Sequence, residues 1–592
     1  MKRPTTTRLS KAPWILLLSS FLLLDISCGP SQTTTSEADL IIHNAKIYTL
    51  SWEDPDENGT PAADAPFTDG RWNPDAEAIV IKGDKLIYIG NKESALEYKG
   101  DKTQIIDAEG NILIPGLIDS HTHPFGFGAN LGKVDLTNLK DKELIVQTLK
   151  EESDPNIKKG DWILGFGYDE GNLSTEALPN ADLLSTHFPD NPVYLLGAHG
   201  FSSVANRMAM ELVGINSDSE APVGGEIVKD AQGNLMGIFL NNASGMLADA
   251  LPAKSLEDYK KIGLYGLNVM AKSGFTSIHD AGMGRTNYES YQALEDEGNL
   301  PIRVYGMIRA TDTSLVNQLK QQGPDQDMEE MFVVRSLKAY YDGSLGIRGA
   351  RMIEDYSDKA GHKGVSGEAY GYDEALVAEM MNLGYQTGIH AIGDAGNREV
   401  LNFYNRVYEK HPNARKNRNR IEHAQVVHPD DFDRFKSLDL IASMEPPHMA
   451  EDLDWAEDRV GRERIKGAYA WRTMREKGVP LTFNSDLTGS DHSIFYGLYA
   501  AIARKNRDKK PDGGWYIEQK MSPEEALRAY TIWAAYAGFQ EKEIGSLEVG
   551  KMADITMLNI DVLNLGLTDP DKLWDGKILM TMVGGKIVYE GM

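Results

Sequence analysis

The sequence predicts an α/β fold: a (β/α)8 TIM-type barrel with an insertion after strand 1, and a small composite β-sandwich domain formed by both ends of the mature chain. Three observations predict it. Eight short apolar runs alternate with helical patterns through the middle of the chain, as βα units and a parallel sheet require. Polar residues of a few types recur where those runs end, which is where a barrel carries its site. Strand-like segments flank this middle on both sides, each too small to make a core alone. A length of 592 residues leaves room for two or three domains.

Taken in order, residues 1–27 read as an export signal. Lys2, Arg3, Arg8 and Lys11 precede an apolar run over 14–24, which is too short to span a bilayer. Residues 28–37 form a polar tether. Residues 38–112 hold the first part of the β domain, with strands expected in 39–48 and 78–90 and an exposed Pro/Asp/Gly-rich loop over 53–73. The barrel spans 113–540, and its runs lie at 116–123, 276–280, 302–308, 336–342, 386–392, 420–425, 440–445 and 480–486. Helices are expected over 255–272, 373–382 and 523–536. The gap between the first two runs is far longer than a normal crossover, so an insertion is expected at about 134–250. Residues 541–592, with a Gly584-Gly585 turn, complete the β domain.

Charge and cysteine content narrow the function. With 61 Lys+Arg against 88 Asp+Glu, the net charge of −27 offers no basic stripe for a nucleic acid. Losing 1–27 removes four positive and one negative charge and leaves 57 against 87, or −30. The single cysteine, Cys28, excludes a disulfide framework and cysteine-built metal clusters. It stands in Leu24-Asp25-Ile26-Ser27-Cys28, which resembles a bacterial lipobox, although Asp25 occupies a position that is usually apolar. The resemblance implies a diacylated, lipid-anchored protein exported to a bacterial cell envelope, touching the membrane through its anchor alone. An ordinary signal peptide with an incidental Cys is the alternative. Neither the membrane face nor oligomerisation follows from the sequence.

The chemistry is concentrated at the run ends. His121 and His123 are two apart after an apolar strand, so both can face one ion. The fifth run ends in His390-Ala-Ile-Gly-Asp394, the sixth in Ile421-Glu-His423-Ala-Gln425 and the eighth in Asn484-Ser-Asp486. Four histidines and an aspartate make an N/O ligand set suited to Zn²⁺ or a similar divalent ion.

These residues carry a resemblance. Leu113-Ile-Pro-Gly-Leu-Ile-Asp-Ser-His-Thr-His-Pro124, the motifs around 390–394, 421–425 and 485–486, and Tyr341-Asp-Gly-Ser-Leu-Gly346 resemble the amidohydrolase superfamily, in its YtcJ-like branch that includes N-substituted formamide deformylases. So do residues 162–168, 514–515, 524–531 and 545–554. The resemblance implies that His121, His123, His390 and His423 bind metal. It implies also that Asp486 binds metal and acts as general base toward a metal-activated water. A strand-four lysine, here Lys338, bridges two ions in relatives when carboxylated by CO₂. One ion is implied if Lys338 stays a plain lysine paired with Asp342 or Asp486, two if it is a carbamate. His199, in the insertion, would polarise the substrate carbonyl, while Asp280, Arg348 and His448 are candidates to line the substrate pocket. A salt bridge is the default for Arg348, and Trp162 and Trp515 read as packing. Asn484-Ser-Asp-Leu-Thr488 and Met444-Glu-Pro-Pro-His448 depart from the family pattern at the expected substrate mouth.

The expected activity is hydrolysis of a C–N bond in a small N-acyl, N-formyl or other non-peptide amide. Deamination of an amidine-like ring is the enzymatic alternative, opposed by Ala-Ile-Gly after His390, where related deaminases carry a Glu. A ligand-binding surface lipoprotein is the non-catalytic one, and it has no use for five ligand-type residues at once.

Overall fold

The computed structural model describes residues 37–591 except 131, 140, 170–177, 199 and 252–253. The export segment, Cys28 and His199 lie outside the described residues.

Eight strands form one parallel sheet in chain order: β1 (Leu117–Thr122), β2 (Phe275–Met283), β3 (Arg303–Arg309), β4 (Phe332–Tyr340), β5 (Gln386–Ala391), β6 (Arg420–His423), β7 (Ile441–Met444) and β8 (Leu481–Phe483). Each overlaps one of the eight apolar runs, although β4 begins ahead of its run and β2 extends beyond its own. Backbone ladders join every consecutive pair from β1 to β8. Side chains draw the last seam together. Ser120 Oγ bonds the Thr482 hydroxyl and, at 3.0 Å, the Phe483 carbonyl, while Asp119 accepts from Ser485 Oγ at 2.6 Å. The result is a nearly closed TIM-type barrel.

The strands are buried on both faces, so they read as continuous apolar runs rather than alternating ones. Helix Leu256–Lys272 starts on a Ser255/Asp258 capping box and helix Glu374–Asn382 on Asp373. The helix expected over 523–536 is two pieces, Pro523–Ala529 and Ile532–Ala537, because Thr531 leaves helical geometry at φ −136°, ψ −102°. Alternating apolar spacing alone cannot report such a break.

Between β1 and β2 the chain builds a six-stranded mixed sheet from Val134–Asp135 to Leu235–Asn241. A five-stranded sheet combines Lys46–Ile47 and Ile112–Pro115 with Ile555–Leu558, Ile578–Val583 and Lys586–Glu590. It shares an apolar core (Leu40, Ile79, Leu113, Ile555, Met582) with the four-stranded sheet of residues 40–107. Arg303 on β3 bonds both Asp554 carboxylate oxygens, at 2.8 and 3.2 Å, and ties this region to the barrel.

Residues 53–73 are not simply an exposed loop. Phe67–Thr68 and Arg71–Trp72 form a small hairpin, Trp72 is buried against Trp52, and Arg528 holds the Trp52 and Glu53 carbonyls. Two tryptophans outweigh the turn-forming composition around them.

Candidate metal centre

The C-terminal ends of β1, β4, β5, β6 and β8 converge. His123 Nε2 lies 3.1 Å and His121 Nε2 3.7 Å from Asp486 Oδ1, and Lys338 Nζ is 2.9 Å from His121 Nε2. The His423 ring is 4.9 Å from His121 and 4.4 Å from His390, centroid to centroid. All six line one cavity.

Backbone geometry explains how neighbours in sequence both serve it. A regular strand would send Glu422 and His423 to opposite faces. His423 instead takes φ 73° and Asp486 φ 48°, the left-handed region L side chains rarely adopt. Such backbone costs about 1–3 kcal/mol per residue and persists only where surrounding structure enforces it. Here it turns the His423 ring toward His121 while Glu422 stays behind His121.

Two of the inner histidines are held from the rear. His121 Nδ1 is 2.6 Å from Glu422 Oε2 and His390 Nδ1 is 2.9 Å from Asp342 Oδ1. A carboxylate at Nδ1 fixes the N–H there and leaves Nε2 as the lone-pair nitrogen. His423 Nδ1 lies 3.1 Å from Glu445 Oε2 without a hydrogen bond between them, and burial and Asp486 push the Glu445 carboxyl well above its ordinary range. Asp342 is itself set by the Arg351, Ile392 and Gly393 amides at 2.9, 3.0 and 2.9 Å. Arg420 does this for Glu422, with Nη2 2.9 Å from Oε2.

Charge states follow from burial and these neighbours. Burial pulls His121 down to about 3 and His423 well below the usual imidazole range, so both are neutral. Burial also pulls the Lys338 amine down to about 8. It acts the other way on Glu422, but Arg420 and His121 outweigh it and keep that carboxyl well below its ordinary range. At Asp486 burial acts upward too, but the His123 hydrogen bond works against it and the carboxyl stays well below its ordinary range. Neutral imidazoles with inward lone pairs, beside an ionised carboxylate, are the donor set a divalent cation needs. The residues fit the ion.

The other predicted residues divide. His448 joins the cavity, its Nε2 3.6 Å from Asp486 Oδ2 and its ring stacked on His423 at 6.1 Å. Asp280 is buried at the end of β2 but lines an adjoining cavity behind His123. There it accepts from the Tyr291 hydroxyl at 2.9 Å, and burial pushes it up to about 6. Arg348 does not reach the cavity: Nε and Nη2 bond Asp358 at 2.9 and 2.6 Å, so the salt-bridge reading holds and the substrate-binding one is corrected. Lys338 does not pair with Asp342, which is spent on His390 and three backbone amides. Glu445 is buried under His423 and His448 rather than at the substrate mouth. Sequence reasoning passed over the rear carboxylates Glu422 and Asp342 as site residues. Their partners are far away in the chain, although Glu422 stood inside a quoted motif.

The profile of a family described as amidohydrolase matches residues 104–589. The chain belongs to the amidohydrolase family. Its members are hydrolases, and this one acts on carbon–nitrogen bonds. Among relatives of this amidohydrolase, a Bacillus subtilis protein named as an amidohydrolase, YtcJ, is 29% identical over 87% of this chain and 96% of its own. The N-substituted formamide deformylase of Arthrobacter pascens is 25% identical over 94% and 99%. The Arabidopsis thaliana protein LONG AFTER FAR-RED 3 is 29% identical over 93% and 92%. A solved structure of an uncharacterized metal-dependent hydrolase from Pyrococcus horikoshii superposes with TM-score 0.67 at 25% identity, covering 90% of this chain and 99% of its own.

Proposed function

We propose that this amidohydrolase is a metal-dependent enzyme that cleaves the C–N bond of a small, non-peptide amide of the N-acyl or N-formyl class. The observation that carries the reading is that His121 and His390, their Nδ1 atoms resting on buried carboxylates, line one cavity with His123, His423 and Asp486. The similarity to a formamide deformylase and to a metal-dependent hydrolase supports it.

His121, His123, His390, His423 and Asp486 would hold the ion. Bound there, a divalent ion, Zn²⁺ by its fit to imidazole and carboxylate, supplies a polarised carbonyl and an acidified water. Asp486 stands as general base: its Oδ1 takes the proton released on attack, and a small rotation delivers it to the departing nitrogen. His448, 3.6 Å from Asp486 Oδ2, would line the substrate pocket beside that carboxylate. Lys338 has a second role open to it. Its free amine adds CO₂ to give a carbamate and a proton, which converts a donor-only ammonium into an oxygen ligand and allows two ions. The reading extends to location: export through residues 1–27 and a lipid on Cys28 would set the enzyme at the surface of a bacterial membrane.

The test is product stoichiometry. Metal-loaded protein lacking residues 1–28, given a panel of N-formyl and N-acyl amines, is expected to release one carboxylic acid per amine. Ammonia without carboxylate would replace the reading with deamination. Metal-loaded protein that binds such amides and cleaves none would favour the ligand-binding alternative.

A further inference from the structure

The cavity is lopsided in charge. Its inner end is the histidine cluster; its outer wall carries Asp169, Asp452 and Trp455, beside Gln425. Asp452 is the last residue of the short helix Pro446–Asp452, where the negative end of the backbone dipole disfavours an anion. Its Oδ2 accepts from Gln425 Nε2 at 3.0 Å and from the Tyr469 hydroxyl at 2.6 Å, which fixes the carboxylate against the wall. Among the described residues no lysine or arginine nitrogen lies within ion-pair distance of Asp452. Arg459, the cation beside Trp455, is engaged with Asp358.

This arrangement is costly by itself. Burial pushes the Asp452 carboxyl well above its ordinary range, and Asp169 and Glu451 push it further. Two neutral donors cannot offset the charge of a half-buried carboxylate as a cation would. An acid that is desolvated, oriented by two donors and turned to a catalytic cavity is what a site built for a cation looks like. Trp455 adds an aromatic surface at the same wall; Arg459 stacks over its ring at 5.4 Å, so cation–π contact already occurs there.

We propose that the outer wall is a cation subsite, and that the preferred substrate is an amide whose amine half carries a second, positively charged nitrogen, seated on Asp452 and Asp169 while the acyl end meets the histidine cluster. This rests on the amide-hydrolase reading for the direction of the substrate, and names its class: a mono-N-acyl diamine or an N-acyl basic side chain. An amide bearing a carboxylate at that end is excluded by the same charges.

The probes are N-formyl diamines with two to five methylenes and N-alkylformamides of equal length, with methyl in place of the ammonium. Binding is measured by calorimetry on the metal-loaded protein, and hydrolysis in parallel. At least one diamine is expected to bind tenfold or more tightly than its neutral twin. Asp452→Asn should erase that preference, read as the ratio of the two affinities, and thermal unfolding reports whether the variant is folded. Equal binding of the pairs, no binding by any probe, or a preference that survives both Asp452→Asn and Asp169→Asn overturns the subsite. A binding preference with no hydrolysis of either probe leaves the subsite standing and counts against the amide reading alone.

Discussion

His121 and Glu422 are 301 residues apart in the chain, yet Nδ1 of one lies 2.6 Å from Oε2 of the other, both fully buried. That contact decides which imidazole nitrogen faces the cavity, and Arg420 on the same strand keeps the glutamate ionised. Removing it by Glu422→Gln should weaken metal binding by about 10–100-fold, the usual effect of losing a carboxylate behind a ligating histidine. Chelator competition measures it. Because Arg420 is then left buried without its counter-charge, a loss of about 3–5 kcal/mol in stability should accompany it, visible in urea unfolding. Unchanged metal affinity in Glu422→Gln would remove the rear-carboxylate argument.

Asp486→Asn tests the proton-handling role when metal content per chain is measured beside turnover, since Asp486 would also hold the ion. Activity should fall by about 10²–10⁴-fold, the range for loss of a general base, with melting temperature little changed. Near-normal turnover in the variant would assign the proton transfer elsewhere, and His448 would be the first residue to examine.

Lys338 makes the pH prediction. Carbamate formation needs the free amine, and burial holds this amine at about 8. Metal- and bicarbonate-dependent reconstitution of the apo-protein should therefore be fastest above pH 8 and slow by about tenfold per unit below it, since each unit protonates ten times more of the amine. Lys338→Ala should show no such dependence. A flat profile in the parent would make Lys338 a plain lysine beside a single ion.

The barrel and the C-terminal sheet share one buried ion pair, Arg303 with Asp554, each 3% exposed. Asp554→Ala leaves the guanidinium unpaired and also frees the Gly584 amide, bonded to Asp554 at 2.8 Å. A cost of about 3–5 kcal/mol is expected, read from urea unfolding with m-values compared. A loss below about 1 kcal/mol, the value of an exposed pair, would contradict the buried linkage.

Much of this architecture is legible in the residues. The eight barrel strands announce themselves because strands buried on both faces become unbroken apolar runs, and the cavity histidines because barrel sites lie where those runs stop. What stays hidden is pairing. Asp342 and Glu445 read as features of strand mouths, since no local pattern tells which histidine, 48 or 22 residues on or back, a carboxylate will face. For Arg348 a salt bridge is the default from sequence, but its partner Asp358, ten residues away across an irregular loop, gives no periodic signal. His423 is the sharpest case. Alternation along β6 would have turned it out of the site, and only its left-handed backbone, which sequence spacing does not encode, turns it in.

Everything proposed for the reaction depends on a divalent ion in this cluster. The most direct measurement is metal content per chain by mass spectrometry, on protein lacking residues 1–28 beside His121→Ala and Lys338→Ala variants. Tightly held divalent metal is expected in the parent, one or two ions, with a sharp loss in His121→Ala; two ions falling to one or fewer in Lys338→Ala would add the carbamate. A parent that holds no metal even after reloading with Zn²⁺, Mn²⁺ or Fe²⁺ would contradict the metal-dependent reading.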